Sequence, residues 1–415
     1  MPQPDVIVVG AGLAGLCCAR SLARAGIAPL VLEASDGVGG RVRTDELQGF
    51  RLDRGFQILL TAYPECQAVL DYAALDLRPF YPGALVRAGG RFVRVADPFR
   101  APLDALASLF GGVGTLADKA RVLALRTDVR GAGLDALLTR PETTTSAALQ
   151  RRGFSPRMID GFFRPFLGGI LLDLELEASS RAFEFVFRVL SLGENVLPAA
   201  GMGAIPAQLA AALPEGSVRL RARVASVGDR EVRLADGESL RAQAVVVATD
   251  GPAAANLLNV PAPESRAATC LYFEAPEPPV DEPVLVLDGE RRGPVTNLCV
   301  PSRVAPGYAP AGRQLVSATV IGDPAGGDEQ LESAVRSQLE GWFGRSVQSW
   351  RHLRTYRIRH AQPGQRPGAL DPPQRPVRRG PGLYAAGDWL DTASLHGAML
   401  SGRRAAEAVL ADLRR

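Results

Sequence analysis

Gly10, Gly12 and Gly15 are spaced as G-x-G-x-x-G, and Glu33 follows 18 positions after the last of them. Glycines at this spacing leave backbone N–H groups open to a phosphate, and a carboxylate at that distance accepts from ribose hydroxyls. Gly10 permits a tight turn, Gly12 allows close approach of a pyrophosphate, and Gly15 lets a helix pack closely on a strand. The carboxylate of Glu33 repels a 2′-phosphate, which disfavours NADP. Gly39-Gly40-Arg41 adds a second backbone approach to phosphate, with Arg41 as its charge partner. Three further side chains are placed to handle protons: His396, Tyr356 and His360.

The elements needed to position the glycines are legible around them. Asp5 to Val9 reads as a short buried strand, Leu16 to Ala25 carries a helical pattern, and Pro29 to Leu32 is a second strand ending at Glu33. This is a βαβ unit, in which a pyrophosphate rests on the helix N-terminus. Leu47 to Leu60 suggests a strand pair turning at Arg51 to Arg54, and Pro64 to Val196 reads as mostly helical, with runs at Pro102–Leu109, Leu116–Arg126 and Met158–Phe166. Ser217 to Val227 alternates apolar and polar, Glu231 to Leu234 repeats the pattern, and Asp236-Gly237 marks a hairpin. Ala244 to Thr249 and Leu383 to Asp388 read as buried strands, Thr269 to Ile358 as a second β-rich region, and Gly397 to Arg414 as a closing helix. The most linker-like stretch is Gln362 to Pro381.

Composition sets bounds. A chain of 415 residues fits two domains, and its hydrophobic and charged fractions (47% and 22%) are those of an ordinary globular protein. A net charge of +3 argues against nucleic-acid binding. Lys119 is the only lysine, and the five cysteines show no C-x-x-C spacing. No stretch is apolar enough to span a bilayer, and the N-terminal run lacks a basic leader, so the expected place is the cytoplasm, with peripheral contact at the inner face of the membrane as a further expectation. No metal site is expected.

The arrangement resembles the FAD-dependent amine oxidase superfamily. The residues carrying the likeness are Val6 to Gly15 with Glu33, Gly39-Gly40-Arg41, Leu52-Asp53-Arg54-Gly55, the hairpin with Val245 to Thr249, and a C-terminal block. That block, Ala386-Gly387-Asp388-Trp389 and then Ala393 to Arg403, looks most like those of phytoene desaturases and squalene-associated desaturase-like flavoproteins. The resemblance implies an α/β fold: a Rossmann-type FAD-binding domain from discontinuous segments (1–75, 197–262 and 376–415) and an α+β substrate domain (76–196 and 263–375). It implies non-covalent FAD, since the covalent-flavin cysteine of monoamine oxidases is missing. It places Asp388 at the ribityl–pyrophosphate part, Val224 at adenine through its backbone, and Leu13, Ala14, Ala34, Gly55, Phe56, Gln57, Gly387, Ser394, Leu395, His396, Gly397 and Ala398 in the cofactor set. A helix starting near Gly397 would direct N–H groups at the flavin edge where charge accumulates on reduction, with Gly397 and Ala398 small because the ring packs on them.

Many amine oxidases of this family hold a lysine near flavin N5, and here Lys119 lies far from every flavin motif. The expectation is therefore dehydrogenation or isomerisation of a hydrophobic isoprenoid- or polyene-like substrate, by hydride transfer to flavin N5 and with oxygen or a quinone as final acceptor. An amine or protoporphyrinogen-type oxidase using oxygen is the alternative, and a non-catalytic flavoprotein the second. Two roles stand for His396: contact with flavin edge or substrate, or a side chain hydrogen-bonded to backbone. Alternation puts Tyr356, Ile358 and His360 on one face of Leu353 to His360, either lining the substrate cavity or pairing at a strand edge. Gly201-Met-Gly203 lacks a preceding strand and a downstream acid, so no NAD(P) site is expected; it introduces a helix at Ile205 to Leu213. The apolar residues of Arg78 to Arg130, including Phe80, Tyr81, Phe92, Phe99, Leu103, Leu106, Leu109 and Phe110, form either a helical core or an apolar tunnel or membrane-facing patch.

Overall fold

A computed structural model describes residues 4–104 and 113–414. Leu106, Leu109, Phe110 and most of the helix expected at Pro102–Leu109 lie outside the described residues.

Six strands gather from the start, middle and end of the chain into one sheet. Their order is Val218–Arg219, Pro29–Leu32, Val6–Val9, Ala244–Val247, Leu383–Ala385 and Arg378–Gly380. The first five run parallel and the last pairs antiparallel at the edge. Val6–Val9 and Ala244–Val247 are buried throughout, as unbroken Val/Ile runs require when both faces are covered, here by helices on the side of Val6, Val8 and Val246 and by Val232 and Leu234 on the side of Ile7, Val9 and Val245. The chain leaves Val6–Val9 toward one neighbour and returns on its other side, so the carboxyl ends of these strands open a crevice.

The second large sheet has seven strands, ordered Arg351–Pro363, Ser265–Ala275, Gln314–Ile321, Val295–Cys299, Leu285–Asp288, Gly83–Ala88 and Arg91–Ala96. Its last two strands fall where helix was expected. Residues 83–96 form a hairpin turned by Gly89-Gly90, both at positive φ. Leu85-Val86 and Phe92-Val93 on either side of a Gly-Gly pair are a hairpin signal that the surrounding helical periodicity masked.

Two other boundaries move. The first hairpin joins Thr44–Leu47 to Phe50–Asp53 and turns at Gln48-Gly49 (φ 53 and 82), so Arg51 to Asp53 are strand. The alternating run 217–227 is broken at Leu220 to Arg223: Val218–Arg219 joins the parallel sheet, and Val224–Gly228 starts a separate three-stranded antiparallel sheet. Ala222 N–H donates to the Glu33 carbonyl and Arg221 N–H to that of Ser35, so the break lies across the acid end of the second strand.

Candidate active site

One continuous cavity of about 830 Å³ opens at the crevice and runs to the seven-stranded sheet. Its nucleotide end follows from backbone geometry. Gly10 has φ +105, and a Cβ there would meet the Ala248 carbonyl oxygen at 2.9 Å. A Cβ on Gly15 would lie 1.9 Å from the Gly10 oxygen, so only glycine lets the helix Leu13–Arg24 sit this close to the strand. Gly12 caps that helix, and nothing lies within 4 Å of a Cβ placed on it. Open space at a helix N-terminus, beside unpaired N–H groups, fits a pyrophosphate. Gly39 N–H donates to the Ala11 carbonyl, and a Cβ on Gly40 would be 3.5 Å from Gly12 Cα, so the two glycine loops face each other.

Glu33 holds this end in place. Its Oε2 accepts from Ala11 N–H and its Oε1 from Ser35 N–H, each at 2.8 Å. A carboxylate has about four acceptor positions, which leaves two for ribose hydroxyls. Ala34, Ala222 and Val224 line the cavity beside it. Arg41 does not stand free to meet a phosphate. One guanidinium nitrogen donates to Asp388 Oδ1 at 2.8 Å and another to the Ala361 carbonyl, which ties Gly39-Gly40-Arg41 to the C-terminal block. Gln57 spends its amide hydrogens on the carbonyls of Arg41 and Arg54.

Of the residues expected at the cofactor, Gly10, Gly12, Leu13, Ala14, Glu33, Ala34, Gly39, Gly40, Arg41, Gly55, Phe56, Gln57, Val224, Gly387, Asp388, Ser394, Leu395 and Ala398 all line this cavity. Gly15, His396 and Gly397 do not. The last helix begins at Leu395, and Ser394 Oγ caps it by accepting from Gly397 N–H, so that hydrogen is used within the protein. Gly397 must be small for a different reason than a flavin ring: a Cβ there would lie 2.0 Å from the Thr392 carbonyl oxygen.

His396 points behind the lining. Its Nδ1 accepts from the backbone N–H of Glu65 at 3.1 Å, and its ring stacks on Tyr63 and lies tilted against Phe185, which themselves line the cavity. Burial pushes its imidazole down to about 4, with the Glu65 carboxylate pulling the other way. It is a neutral brace between the last helix and Pro64–Val69. Tyr356 donates from its hydroxyl to Asp45 Oδ2 at 2.8 Å, and His360 is exposed. Of the face expected to line the cavity, only Ile358 does so. The strand register explains this: Ala268 pairs with Ile358 but Arg266 with Gln362, so a bulge at 359–361 ends the alternation. Ala361 and Gln362 reach the cavity in place of His360. Gln365 also lines it, so the start of the expected linker is part of the site. Gly201 and Gly203 pack their backbone on Thr44 and lead into the helix Ala204–Ala211.

Asp53 is a buried junction beneath the site. Its Oδ1 accepts from Thr44 Oγ1 and Met202 N–H, and its Oδ2 from the Tyr308 hydroxyl, while its carbonyl accepts from Tyr272. Burial pushes this carboxyl up to about 6, against those three donors.

The other half of the cavity is apolar, lined by residues such as Leu60, Tyr63, Phe166, Ile170, Phe185 and Leu287. The acidic residues among the described lining are Glu33, Asp250 and Asp388, each at the carboxyl end of a parallel strand. Lys119 sits in the helix Leu116–Gly131, away from this lining. Sequence reasoning missed the apolar half, and with it Asn195, Asn297 and Thr319. The signal for Asn297 was present: it is an amide at the centre of the fully buried strand Val295–Cys299.

The family model described as flavin containing amine oxidoreductase matches residues 13–410. The chain belongs to this family. Its members bind flavin, and the glycine loops, the open helix end and Glu33 fit the nucleotide part of that cofactor. Putrescine oxidase of Kocuria rosea is 33% identical over 126 residues, covering 26% of each chain. The 15-cis-phytoene desaturase of Narcissus pseudonarcissus is 42% identical over 71 residues, 16% of this chain and 12% of that one. These matched stretches cover about a quarter or less of the relatives' length. Among solved structures, a putative protoporphyrinogen oxidase from Exiguobacterium sp. 255-15 superposes with TM-score 0.74 at 19% identity, covering all of both chains. Cyclohexylamine oxidase from Brevibacterium oxydans IH-35A does so with TM-score 0.75 at 18% identity, again over both full chains. The two-domain α/β fold expected from the resemblance is therefore the observed one.

Proposed function

We propose that this flavin oxidoreductase holds FAD non-covalently and dehydrogenates, or isomerises, a hydrophobic isoprenoid- or polyene-like substrate. The observation that carries this reading is the distribution of charge along the cavity: the lining carboxylates cluster at the nucleotide end, and the far half presents Leu, Ile and Phe. A cationic amine entering that half would lose its hydration without gaining a counter-charge, which is costly. An apolar chain gains from the same surface, by about 25 cal/mol for each Å² removed from water.

Gly10, Gly12 and the helix end would receive the pyrophosphate, Glu33 the ribose, and Val224 the adenine. The Arg41–Asp388 pair fixes the C-terminal block against the second glycine loop. Flavin, when bound, supplies the two-electron acceptor. The chain orients the substrate with apolar contacts and excludes water with Phe166, Ile170 and Phe185. No helix among the described residues is long and apolar enough to cross a membrane. Phe99, Leu103 and Leu116 are 62%, 83% and 63% exposed, which supports peripheral contact with a membrane that stores such substrates.

The test has two steps. The chromophore of the purified protein is released by acid and identified, where FAD in the supernatant is expected. The loaded protein is then mixed anaerobically with isoprenoid hydrocarbons, polyenes, and mono- and diamines. Bleaching of the oxidised flavin by an isoprenoid or polyene supports the proposal; bleaching by amines alone overturns it.

A further inference from the structure

Three buried oxygens of cavity-lining residues have no hydrogen-bond partner, Asn195 Oδ1, Asn297 Oδ1 and Thr319 Oγ1, and the last two belong to neighbouring strands of one sheet. Asn297 and Thr319 are each 5% exposed and both line the apolar half of the cavity. They lie directly opposite one another on paired strands, in the same row as Cys270 on the next strand. Directly opposed side chains have Cβ atoms about 4.5–5.5 Å apart, close enough for one small group to serve both. The amide nitrogen of Asn297 is packed where a Cβ on Gly169 would lie 2.9 Å from it. Cys270 Sγ lies 3.2 Å from Ser317 Oγ and is also within weak hydrogen-bonding reach of Thr319, and sulfur is a poor acceptor that leaves the Thr319 hydroxyl free for an oxygen.

Leaving a buried polar atom without a partner costs about 1–3 kcal/mol. Two such atoms in one row of an otherwise apolar wall therefore mark a place where a ligand group belongs. The atoms also specify its chemistry. An amide oxygen accepts only, so it needs a donor; a threonine hydroxyl can give its proton to an oxygen. A hydroxyl meets both demands at once. A carbonyl offers no donor to Asn297; an ammonium group can donate to both oxygens but brings a charge that no carboxylate in this half of the cavity offsets.

We propose that Asn297 and Thr319 anchor a neutral, largely apolar substrate through a single hydroxyl group. This rests on the apolar reading of the cavity given above and narrows it. The hydroxyl donates to Asn297 Oδ1 and accepts from Thr319 Oγ1, which fixes the register of the chain along the cavity. Specificity of this kind is strong because an analogue without the hydroxyl leaves both protein atoms unpaired.

The experiment measures equilibrium binding to the FAD-loaded protein of three ligands with one skeleton: a linear isoprenoid alcohol, the hydrocarbon lacking only its hydroxyl, and the corresponding primary amine. The wild type is expected to prefer the alcohol over the hydrocarbon by about 10–100-fold. Asn297→Leu and Thr319→Val, which keep size and remove the polar atoms, should each shrink that ratio, and the double variant should bring it close to one. Flavin content confirms that each variant is folded, and Thr319→Val, the nearly isosteric change, carries the test if Asn297→Leu fails to load. Equal binding of alcohol and hydrocarbon by the wild type, or a preference that survives both substitutions, overturns the anchor but leaves the apolar reading intact. Binding of the amine alone overturns both.

Discussion

Two glycines three residues apart should respond in opposite ways to the same added methyl group. In Gly15→Ala the new Cβ would lie 1.9 Å from the Gly10 carbonyl oxygen and 3.3 Å from Ala248 Cβ. The first contact is with backbone, so the helix must move off the strand. Overpacking of this kind costs about 3 kcal/mol, and alanine regains about 1 kcal/mol of helix propensity over glycine. The net loss of about 2 kcal/mol corresponds to a fall in Tm of roughly 2 °C for a chain of this size. In Gly12→Ala the Cβ meets nothing within 4 Å, and φ −73 with ψ 178 is open to any residue. Its cost to folding is that of a weaker N-cap, about 1 kcal/mol or less. The methyl group instead occupies the space assigned to pyrophosphate. Thermal melts of cofactor-stripped protein, with FAD titrated separately, read the two effects apart, because bound ligand would otherwise raise Tm. Gly12→Ala should weaken FAD at least about tenfold, the equivalent of 1.4 kcal/mol, with little change in the Tm of the stripped protein. Gly15→Ala should do the reverse in Tm. A Gly12→Ala protein that binds FAD with unchanged affinity would refute the cradle, and an unshifted Tm for Gly15→Ala would refute the packing argument.

Asp53→Ala strands the Thr44 hydroxyl, the Met202 N–H and the Tyr308 hydroxyl in the interior, a loss of at least about 3 kcal/mol in urea unfolding; a loss under about 1 kcal/mol would show that water replaces the carboxylate. His396 is held neutral, with its folded pKa near 4 below the usual 6.5, so its contribution is full above pH 6.5 and lost as pH falls through 4, by about 3 kcal/mol in all. Asp53 and Asp391, both raised to about 6, run the other way and gain as pH falls below 6. His396→Asn keeps an acceptor for Glu65 N–H, so the wild type should lose stability relative to this variant between pH 6.5 and 4; parallel pH profiles would contradict the assignment. Asp388→Asn removes the charge that holds Arg41 and should weaken FAD measurably without lowering the Tm of the stripped protein by more than about 2 °C; unchanged FAD affinity would remove this pair from the site.

The nucleotide end was legible because its chemistry is local. Gly10, Gly12, Gly15 and Glu33 lie within one βαβ unit, where spacing alone fixes geometry. The substrate end was not, because it is built by pairing strands far apart in sequence. Asn297 and Thr319 become neighbours only through the register of two strands, and Phe166 and Ile170 face them from a third segment. His360 shows the limit of periodicity: alternation placed it on the face of Ile358, and a bulge of the kind no alternation reveals turned it to solvent. His396 takes the backbone-bonded of its two expected roles, and spacing could not choose between them. Adjacency to Gly397 suggested a role at the helix end, but the side chain of a helical residue covers the surface beside its own turn, here against Glu65.

The parallel sheet carries a consequence for synthesis. Its central strand, Val6–Val9, emerges early, but its neighbours Ala244–Val247 and Leu383–Ala385 are made long afterwards. The glycine helix waits longest, since a Cβ on Gly402 of the last helix would lie 2.1 Å from the Ala14 carbonyl, and the two helices seal one another. At about 5–20 residues per second, the N-terminal strand and helix spend roughly 20–80 s on the ribosome without their final partners. The glycine loop is thus translated well before the strands and helix that complete its surroundings.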